Sequence, residues 1–398
     1  MSDTSNAAPR LLLVVGAYFP ELSAGGLQSR LAAQCLRDRA ASRVLTTATS
    51  PHLTVHDTVD GVPVSRLKVG DGGPWNAIRA AWRLVTELLQ LLPRVDLVHI
   101  QGFSSKNIPV SAMAKLFRRP IVQHLQTAKH DEPDAIRAQG LLSWWAFSSA
   151  DLYLSVSRGL TERYLAAGLP AARIREVPNG VDARRFSPAS PDERPRLRKQ
   201  HNLPLDRPVV LFVGVISPDK QPHVLLEAWV RTQQDPALAS TLVFVGATDP
   251  MLFELGGRLI DQLRATAAAS GFADRVVFVP PTNQVQDYFR AADMYVMPSI
   301  REGIPIALLE AMACGLPCVA SRLPGATDTM VEDGVSGRLV APGDIDAFAA
   351  AIGGLLADPA AASRMGAAAR RTVEDRYTME RVAGMWLDAY QEVLGRRP

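Results

Sequence analysis

Residues 297–321 read MPSIREGIPIALLEAMACGLPCVAS, a strand end, a charged turn and a helix in direct succession. The run Asp293-Met-Tyr-Val-Met-Pro298 is apolar and β-prone, stops at Pro298 and leads into the turn Arg301-Glu302-Gly303. Pro305 suits a first helical position, Ile306 to Cys314 reads as helix, and Gly315 and Pro317 end it before the strand 317–321. This is one βαβ unit. Its turn falls at the carboxyl end of a strand, where open parallel sheets bind ligands.

Two carboxylates stand out, Glu302 in the turn and Glu310 in the helix, with seven residues between them. A helix starting at Pro305 carries Glu310 about 7–8 Å along its axis, at roughly 1.5 Å per residue. That separation suits a ligand with two polar ends better than a single metal ion. The free backbone N–H groups of the turn and first helical turn form an anion site beside it. A plainer reading of the same residues makes Glu302 a capping charge and Glu310 a surface ion-pair partner.

Taken whole, the segment resembles the E-x7-E signature of family 4 glycosyltransferases, retaining enzymes of the GT-B fold. The resemblance implies an α/β protein of two Rossmann-like, doubly wound parallel-sheet domains facing a cleft. Glu302 would lie near the sugar of a nucleotide-sugar donor and Glu310 would hold its ribose hydroxyls. Arg301, with the backbone of Gly303, Ile304 and Ile306, would complete that side of the donor site. The implied reaction moves a glycosyl group from a UDP- or GDP-sugar to an acceptor hydroxyl, the acceptor being a glycan or lipid-linked. A sugar-nucleotide 2-epimerase of the same architecture and a non-catalytic nucleotide-sugar or glycan-binding protein are the alternatives.

The chain around this unit fits two domains. Its 398 residues exceed one ordinary core. No apolar run is long enough to span a bilayer, and residues 1–10 are small and polar with no secretory pattern, so a cytoplasmic protein is expected, with the inner face of the membrane as its possible docking place. Cys35, Cys314 and Cys318 lack metal-site spacing and read as reduced core thiols. The net charge of +3 conceals an asymmetry, with 22 Lys/Arg against 15 Asp/Glu in residues 1–186 and 21 against 25 thereafter. A basic first half points to an anionic partner such as a membrane surface or a phosphorylated acceptor, with solvated surface charge as the other explanation. Nucleic acid is not among the expected partners.

Residues 11–16 form a buried-type strand, followed by a turn containing Gly25-Gly26 and a helix near Leu27 to Leu36. No G-x-G-x-x-G follows that strand, which weighs against a dinucleotide-dependent dehydrogenase. Gly25-Gly26 resembles the family's glycine loop, which approaches donor phosphates or acceptor. Further strands fit 43–48, 62–67, 96–102, 120–125, 151–157 and 174–178, alternating with helical stretches. His99 reads as a core or turn histidine. His124 resembles the family position beside the donor sugar, which would make it catalytic together with Glu302 and Lys220. Trp75 to Arg94 reads as an amphipathic helix with Trp75, Ile78, Trp82, Val85 and Leu89 on one face. Packing on its own sheet is the ordinary expectation for that face, and an interfacial membrane contact is the alternative. Trp144-Trp145 is expected in the core.

Asn179-Gly180-Val181-Asp182 resembles the family's N-G-V-D motif and closes a first domain, 1–186, that would bind the acceptor. Residues 187–208 hold five prolines and many charges and are expected to be a linker. The second domain, 209–378, would bind the nucleotide-sugar, and a helix over 379–398 would cross back to the first. After strand 209–214, Lys220 precedes a helix, where a cation opposes the macrodipole unless an anion sits nearby. The resemblance assigns Gly214 and Lys220 to the donor diphosphate, but Val215 stands where the family often has an arginine. Asp344-Ile-Asp346 has D-x-D spelling in a turn before a helix and reads as a cap. Metal-independent catalysis with no cofactor is therefore expected.

Overall fold

The computed structural model describes residues 8–21, 23–50, 52–68, 74–128, 130–246 and 254–395. Residues 1–7 of the small, polar first stretch lie outside them. The chain divides into two compact units, residues 1–180 with 379–398, and residues 181–378.

Unit 1 carries eight strands, β1 (Arg10–Val15), β2 (Ala41–Ala48), β3 (His56–Val59), β4 (Val62–Lys68), β5 (Leu97–Gln101), β6 (Ile121–Leu125), β7 (Leu152–Ser155) and β8 (Ile174–Glu176). They form one sheet in the order β3-β4-β2-β1-β5-β6-β7-β8. All neighbours pair in parallel except β3 and β4, a hairpin whose turn residues Asp60 and Gly61 both have positive φ. Strand β1 is buried from Leu11 to Val15, as a strand covered on both faces must be. Helix Met379–Gly395 completes this core, packing Val382, Trp386 and Tyr390 among the apolar residues of β1 and helix Ala24–Cys35.

Unit 2 adds β9 (Val209–Val213), β10 (Thr241–Val245), β11 (Val276–Val279), β12 (Met294–Met297), β13 (Cys318–Ser321) and β14 (Arg338–Val340). The order is β11-β10-β9-β12-β13-β14, parallel throughout. Its core holds Phe212, Phe244, Trp229 and Phe348.

Several expectations need correction. The stretch 187–208 is not a bare linker: Glu193–Gln200 is a helix of unit 2, held where buried Arg198 donates to Ala291 O at 2.9 Å and pairs with Asp293 across 2.5 Å. The first division of the chain accordingly falls after Gly180 rather than after residue 186. Gly25 and Gly26 are not in a turn but in the first turn of helix Ala24–Cys35, whose N-cap Ser23 accepts from Gly26 N at 3.0 Å. Pro305 is the N-cap of helix Ile306–Ala313, with extended backbone, one position earlier than expected. Trp145 is exposed and Trp144 half-buried, not core. In helix Pro74–Leu91 the residues facing the protein are Leu84, Leu88 and Leu91; Trp75, Ile78, Trp82 and Leu89 face solvent. Cys314 and Cys318 are buried free thiols, while Cys35 is half-buried. Asp344 caps its helix, accepting from Ala347 N at 2.9 Å.

Candidate functional site

In unit 2 the chain leaves β9 toward β10 on one side and later returns to β12 on the other. The crevice outside the carboxyl ends of β9 and β12 is therefore the switch point at which such sheets take ligands. Two loops meet there. Ile300 N donates to Asp219 O at 2.9 Å, and the Arg301 guanidinium pairs with the Asp219 carboxylate. Beside them the Lys220 ammonium donates to Glu302 Oε1, joining residues 82 positions apart in sequence. The anion that the position of Lys220 called for is thus present within the chain. Glu302 is only 10% exposed, so this is a pair whose members depend on one another for charge compensation.

The loop around Lys220 is locally unusual. Pro218–Lys220 is a single 3-10 turn, and Gln221 adopts a left-handed conformation (φ 42°) before helix Pro222–Thr232 begins. Gln221 Oε1 and Ser299 Oγ are buried without a hydrogen-bond partner among the described residues. Buried polar atoms are nearly always satisfied, so two orphans beside a charged pair at a switch point single out this crevice as the candidate ligand site. Gly214 lies at the end of β9 and donates to Val245 O at 3.1 Å, while Val215, in the place of an expected arginine, is exposed.

Glu310 occupies the fifth position of helix Ile306–Ala313 and is buried. Burial pushes its carboxyl up to about 8, the Arg185 guanidinium working weakly the other way. A surface ion-pair partner would behave otherwise, so the plainer reading of Glu310 does not describe this residue. Glu310 also raises the thiol of Cys314, the C-cap of the same helix, beyond what burial does. Ile304 is buried, Gly303 and Ile306 half-buried, and the first helical turn holds no acidic residue.

Unit 1 has its own switch point, between β1 and β5. A Cβ added to Gly25 would lie 3.3 Å from Gln101 Cβ and 3.6 Å from Gln126 Oε1, so two glutamines at strand ends converge on the glycine. Gln126 Nε2 donates to Gln101 Oε1. Buried Asp131 fixes this rim, accepting from Phe103 N at 2.9 Å, Gln126 N at 2.8 Å and Thr127 N at 2.9 Å. Lys106 donates to Val15 O, and its burial lowers its ammonium to about 8.

His124 does not join this rim. It sits within β6, fully buried, stacked on His99 with ring centroids 5.4 Å apart and edge-on to Trp386. Burial lowers its imidazole to about 3, keeping the ring neutral. A side chain enclosed in this way has no surface to offer a sugar; the polar residue that reaches the rim is Gln126, just past the end of β6 at Leu125. His99 is likewise a core histidine, with Nδ1 2.6 Å from Tyr390 Oη.

Gln101, Gln126, Asp131, Arg185, Gln221 and Ser299 were not singled out from the sequence. The signal for Arg185 was its place just after the N-G-V-D motif, whose Asp182 accepts from Arg184 N and Arg185 N, both at 3.0 Å, while the Arg185 guanidinium donates to Asn283 O at 2.9 Å and Gln286 Oε1 at 2.8 Å. The two glycines make separable predictions. A Cβ on Gly26 would meet Ala17 O at 2.1 Å, so Gly26→Ala should destabilise the protein by more than about 2 kcal/mol, measured by urea denaturation. Gly25→Ala, whose Cβ would need Gln101 to shift by only a few tenths of an ångström, should cost less than about 1 kcal/mol and reduce chiefly activity; equal stability losses for the two would contradict this division.

Comparisons with known proteins converge on the same regions. Residues 193–372 match the family model described as "Glycosyl transferases group 1", and residues 25–180 match "Glycosyl transferase 4-like domain". A GDP-mannose-dependent alpha-(1-6)-phosphatidylinositol monomannoside mannosyltransferase of Mycolicibacterium smegmatis is 36% identical over 242 residues, 58% of this chain and 59% of that protein. A D-inositol 3-phosphate glycosyltransferase of Salinispora tropica is 35% identical over 285 residues, 69% of this chain and 57% of that protein. The matched stretch thus spans less than two thirds of the length of these curated relatives. Among solved structures, Anabaena HepE in complex with UDP and glucose superimposes with a TM-score of 0.78 at 21% identity, covering 96% of this chain and all of that one. Sucrose-phosphate synthase from Thermosynechococcus elongatus gives 0.76 at 22% identity, covering 98% and 100%. At these identities the structures speak for the fold.

Proposed function

Because the chain belongs to the family 4 glycosyltransferases and has the two-unit GT-B fold, we propose that it moves a sugar from a UDP- or GDP-linked donor to an acceptor hydroxyl with retention at the anomeric carbon. Cell-envelope glycolipid or polysaccharide synthesis is the setting we infer, with a glycan or lipid-linked acceptor. The observation that carries this reading is the Lys220–Glu302 pair at the switch point of unit 2, with buried Glu310 one helix turn beyond.

In this reading unit 2 takes the donor. The leaving diphosphate gathers negative charge as the glycosidic bond breaks, and Lys220 receives it together with the N–H groups of Gly303, Ile304 and Ile306. Positioned charge of this kind acts where charge develops and needs no reorganisation at the moment of reaction. Arg301, held by Asp219, is available for the position that Val215 leaves without an arginine. Glu302, released from Lys220 as the diphosphate arrives, faces the sugar, and Glu310 accepts from the ribose hydroxyls. Gly214 lets the backbone approach the phosphates. In unit 1, Gly25, Gly26, Gln101 and Gln126 line the acceptor side. The two relatives named above carry phosphatidylinositol and inositol phosphate in their descriptions, and both would suit the basic first half of this chain. A lipid-linked acceptor would bring the protein to the inner face of an anionic membrane as a peripheral visitor; no single described helix is long and apolar enough to cross one.

Among the described residues no three His, Cys, Asp or Glu side chains group as metal ligands do. With Lys220 and the backbone N–H groups cast in the role a metal ion would otherwise play, we expect turnover to persist in excess chelator; loss of turnover that Mg2+ or Mn2+ restores would contradict this role for Lys220. The reading as a whole is tested by supplying UDP- and GDP-sugars with and without candidate glycolipid acceptors. Donor consumption that requires acceptor and yields the same anomeric configuration supports it. Consumption without acceptor, giving a 2-epimer, replaces it with the epimerase.

A further inference from the structure

We propose that one face of unit 1, built from helices Pro74–Leu91, Asn107–Leu116 and Leu141–Ser148, docks on a lipid bilayer carrying anionic headgroups. The inference starts from helix Pro74–Leu91, which has two apolar stripes. At about 100° per residue, Leu84, Leu88 and Leu91 fall on one side and are buried. Trp75, Ile78, Trp82, Val85 and Leu89 fall within about 80° of each other on a neighbouring side, and there Trp75 is 75% exposed and Trp82 70%. The first stripe suffices to pack the helix, so the second, apart from half-buried Val85, is apolar surface that the fold does not use.

The neighbouring helices extend this surface. Helix Pro74–Leu91 packs against Asn107–Leu116, which in turn packs against Leu141–Ser148. Leu116 projects at the end of the second helix, while Leu141, 88% exposed, Leu142 and Trp145 project from the third. Isolated exposed leucines need no explanation, but three adjacent helices presenting tryptophan and leucine outward mark a contact surface.

Charge selects the occupant. Arg79 and Arg83 flank the apolar stripe of the first helix, Lys115 ends the second, and Arg118 follows it. Across all three helices there is one carboxylate, Glu87, which accepts from Ser65 Oγ at 2.6 Å. Asp151 beside the second helix is paired with Lys115. With Lys115 offset by Asp151 and Asp134 lying on the next helix, Arg79 and Arg83 carry the cationic border; a protein partner would ordinarily be met by mixed charge, whereas tryptophan and leucine bordered by an excess of cations fit the interfacial zone of an anionic membrane, where indole rings lie at headgroup level. Trp75 and Trp82 are about 10 Å apart along one helix, so both rings can enter a flat surface together.

This deepens the membrane contact proposed above and rests on that reading only for its purpose, to meet a lipid-linked acceptor. The test needs no sugar transfer, so the two can fail separately. The full-length protein would be sedimented with vesicles of phosphatidylcholine alone and of phosphatidylcholine with 30% phosphatidylglycerol, with tryptophan emission recorded. Binding to the anionic vesicles, a blue shift, and weakening by salt are expected. A Trp75→Ser/Trp82→Ser double variant should bind about 100-fold more weakly and Arg79→Glu/Arg83→Glu about tenfold or more, both with wild-type melting temperature and wild-type nucleotide-sugar binding. Absence of vesicle binding, or binding that neither double variant alters, overturns the proposal. So does self-association in light scattering that the tryptophan variant abolishes, since the face would then belong to a second copy of the chain.

Discussion

At pH 8, Glu310→Gln is expected to raise the melting temperature of the ligand-free protein while weakening nucleotide-sugar binding about a hundredfold. Both halves come from one burial. The Glu310 carboxyl is pushed up to about 8 in the folded chain, chiefly by desolvation, whereas in the unfolded chain it ionises near 4.3. Between those values the unfolded state releases a proton that the folded state retains, so rising pH favours unfolding. The stability contributed is complete below the unfolded value and is lost as pH climbs through the folded one. Glutamine keeps the shape and has no proton to lose. The melting temperatures of wild type and variant should therefore be similar near pH 5 and diverge toward pH 8, with the variant higher. A carboxylate present for structure would show the opposite sign. Binding falls because hydrogen bonds to a charged acceptor are worth about 1.5–3 kcal/mol each, and the ribose would offer two hydroxyls. A variant that is more stable and binds less well identifies a group held in place for a ligand.

Lys220→Ala is expected to reduce kcat by about 10²–10³ with saturating donor, the usual loss when one preorganised donor to a developing oxyanion is removed. The same change strips the partner from Glu302, which is nearly enclosed, so some stability should be lost as well. A double-mutant cycle separates the effects. If Lys220 serves only to neutralise Glu302, then Lys220→Met combined with Glu302→Gln should regain most of the stability and the turnover. The mechanism requires that stability return and turnover does not.

Much of this architecture was legible in the sequence. Runs such as Val209–Val213 and Met294–Met297 are apolar, β-branched or aromatic, and closed by Gly or Pro, and alternation with helices makes a parallel sheet the natural outcome. Strand β3 was not legible because His56-Asp-Thr-Val59 is an exposed edge with no apolar alternation; the Asp60-Gly61 turn was the available clue. Helix Glu193–Gln200 escaped notice for a related reason, since it is mostly charged, has a single large apolar residue and is held by the burial of Leu197 and Arg198. Ser23 was the sign that the helix began before the two glycines.

The site divided along similar lines. Glu302 and Glu310 are readable because one short segment carries both, whereas the Lys220–Glu302 pair spans 82 residues and exists only because parallel pairing sets β9 beside β12. Periodicity likewise gave the apolar stripe of helix Pro74–Leu91 without showing which of its two stripes meets the protein. For His124 the end of the strand decides between rim and core: β6 stops at Leu125, so His124 is still inside the sheet, whereas Gln126 lies beyond it at the rim, and periodicity, which puts both on one face, does not tell them apart.

The most direct test of the central claim is calorimetric titration of the wild-type protein and Glu310→Ala with a panel of UDP- and GDP-sugars, without acceptor. The account predicts that one or a few members bind the wild type selectively and that the variant loses most of that affinity while remaining folded. Failure of every nucleotide-sugar to bind, or equal binding by both proteins, would contradict the placement of the donor at the carboxyl ends of β9 and β12.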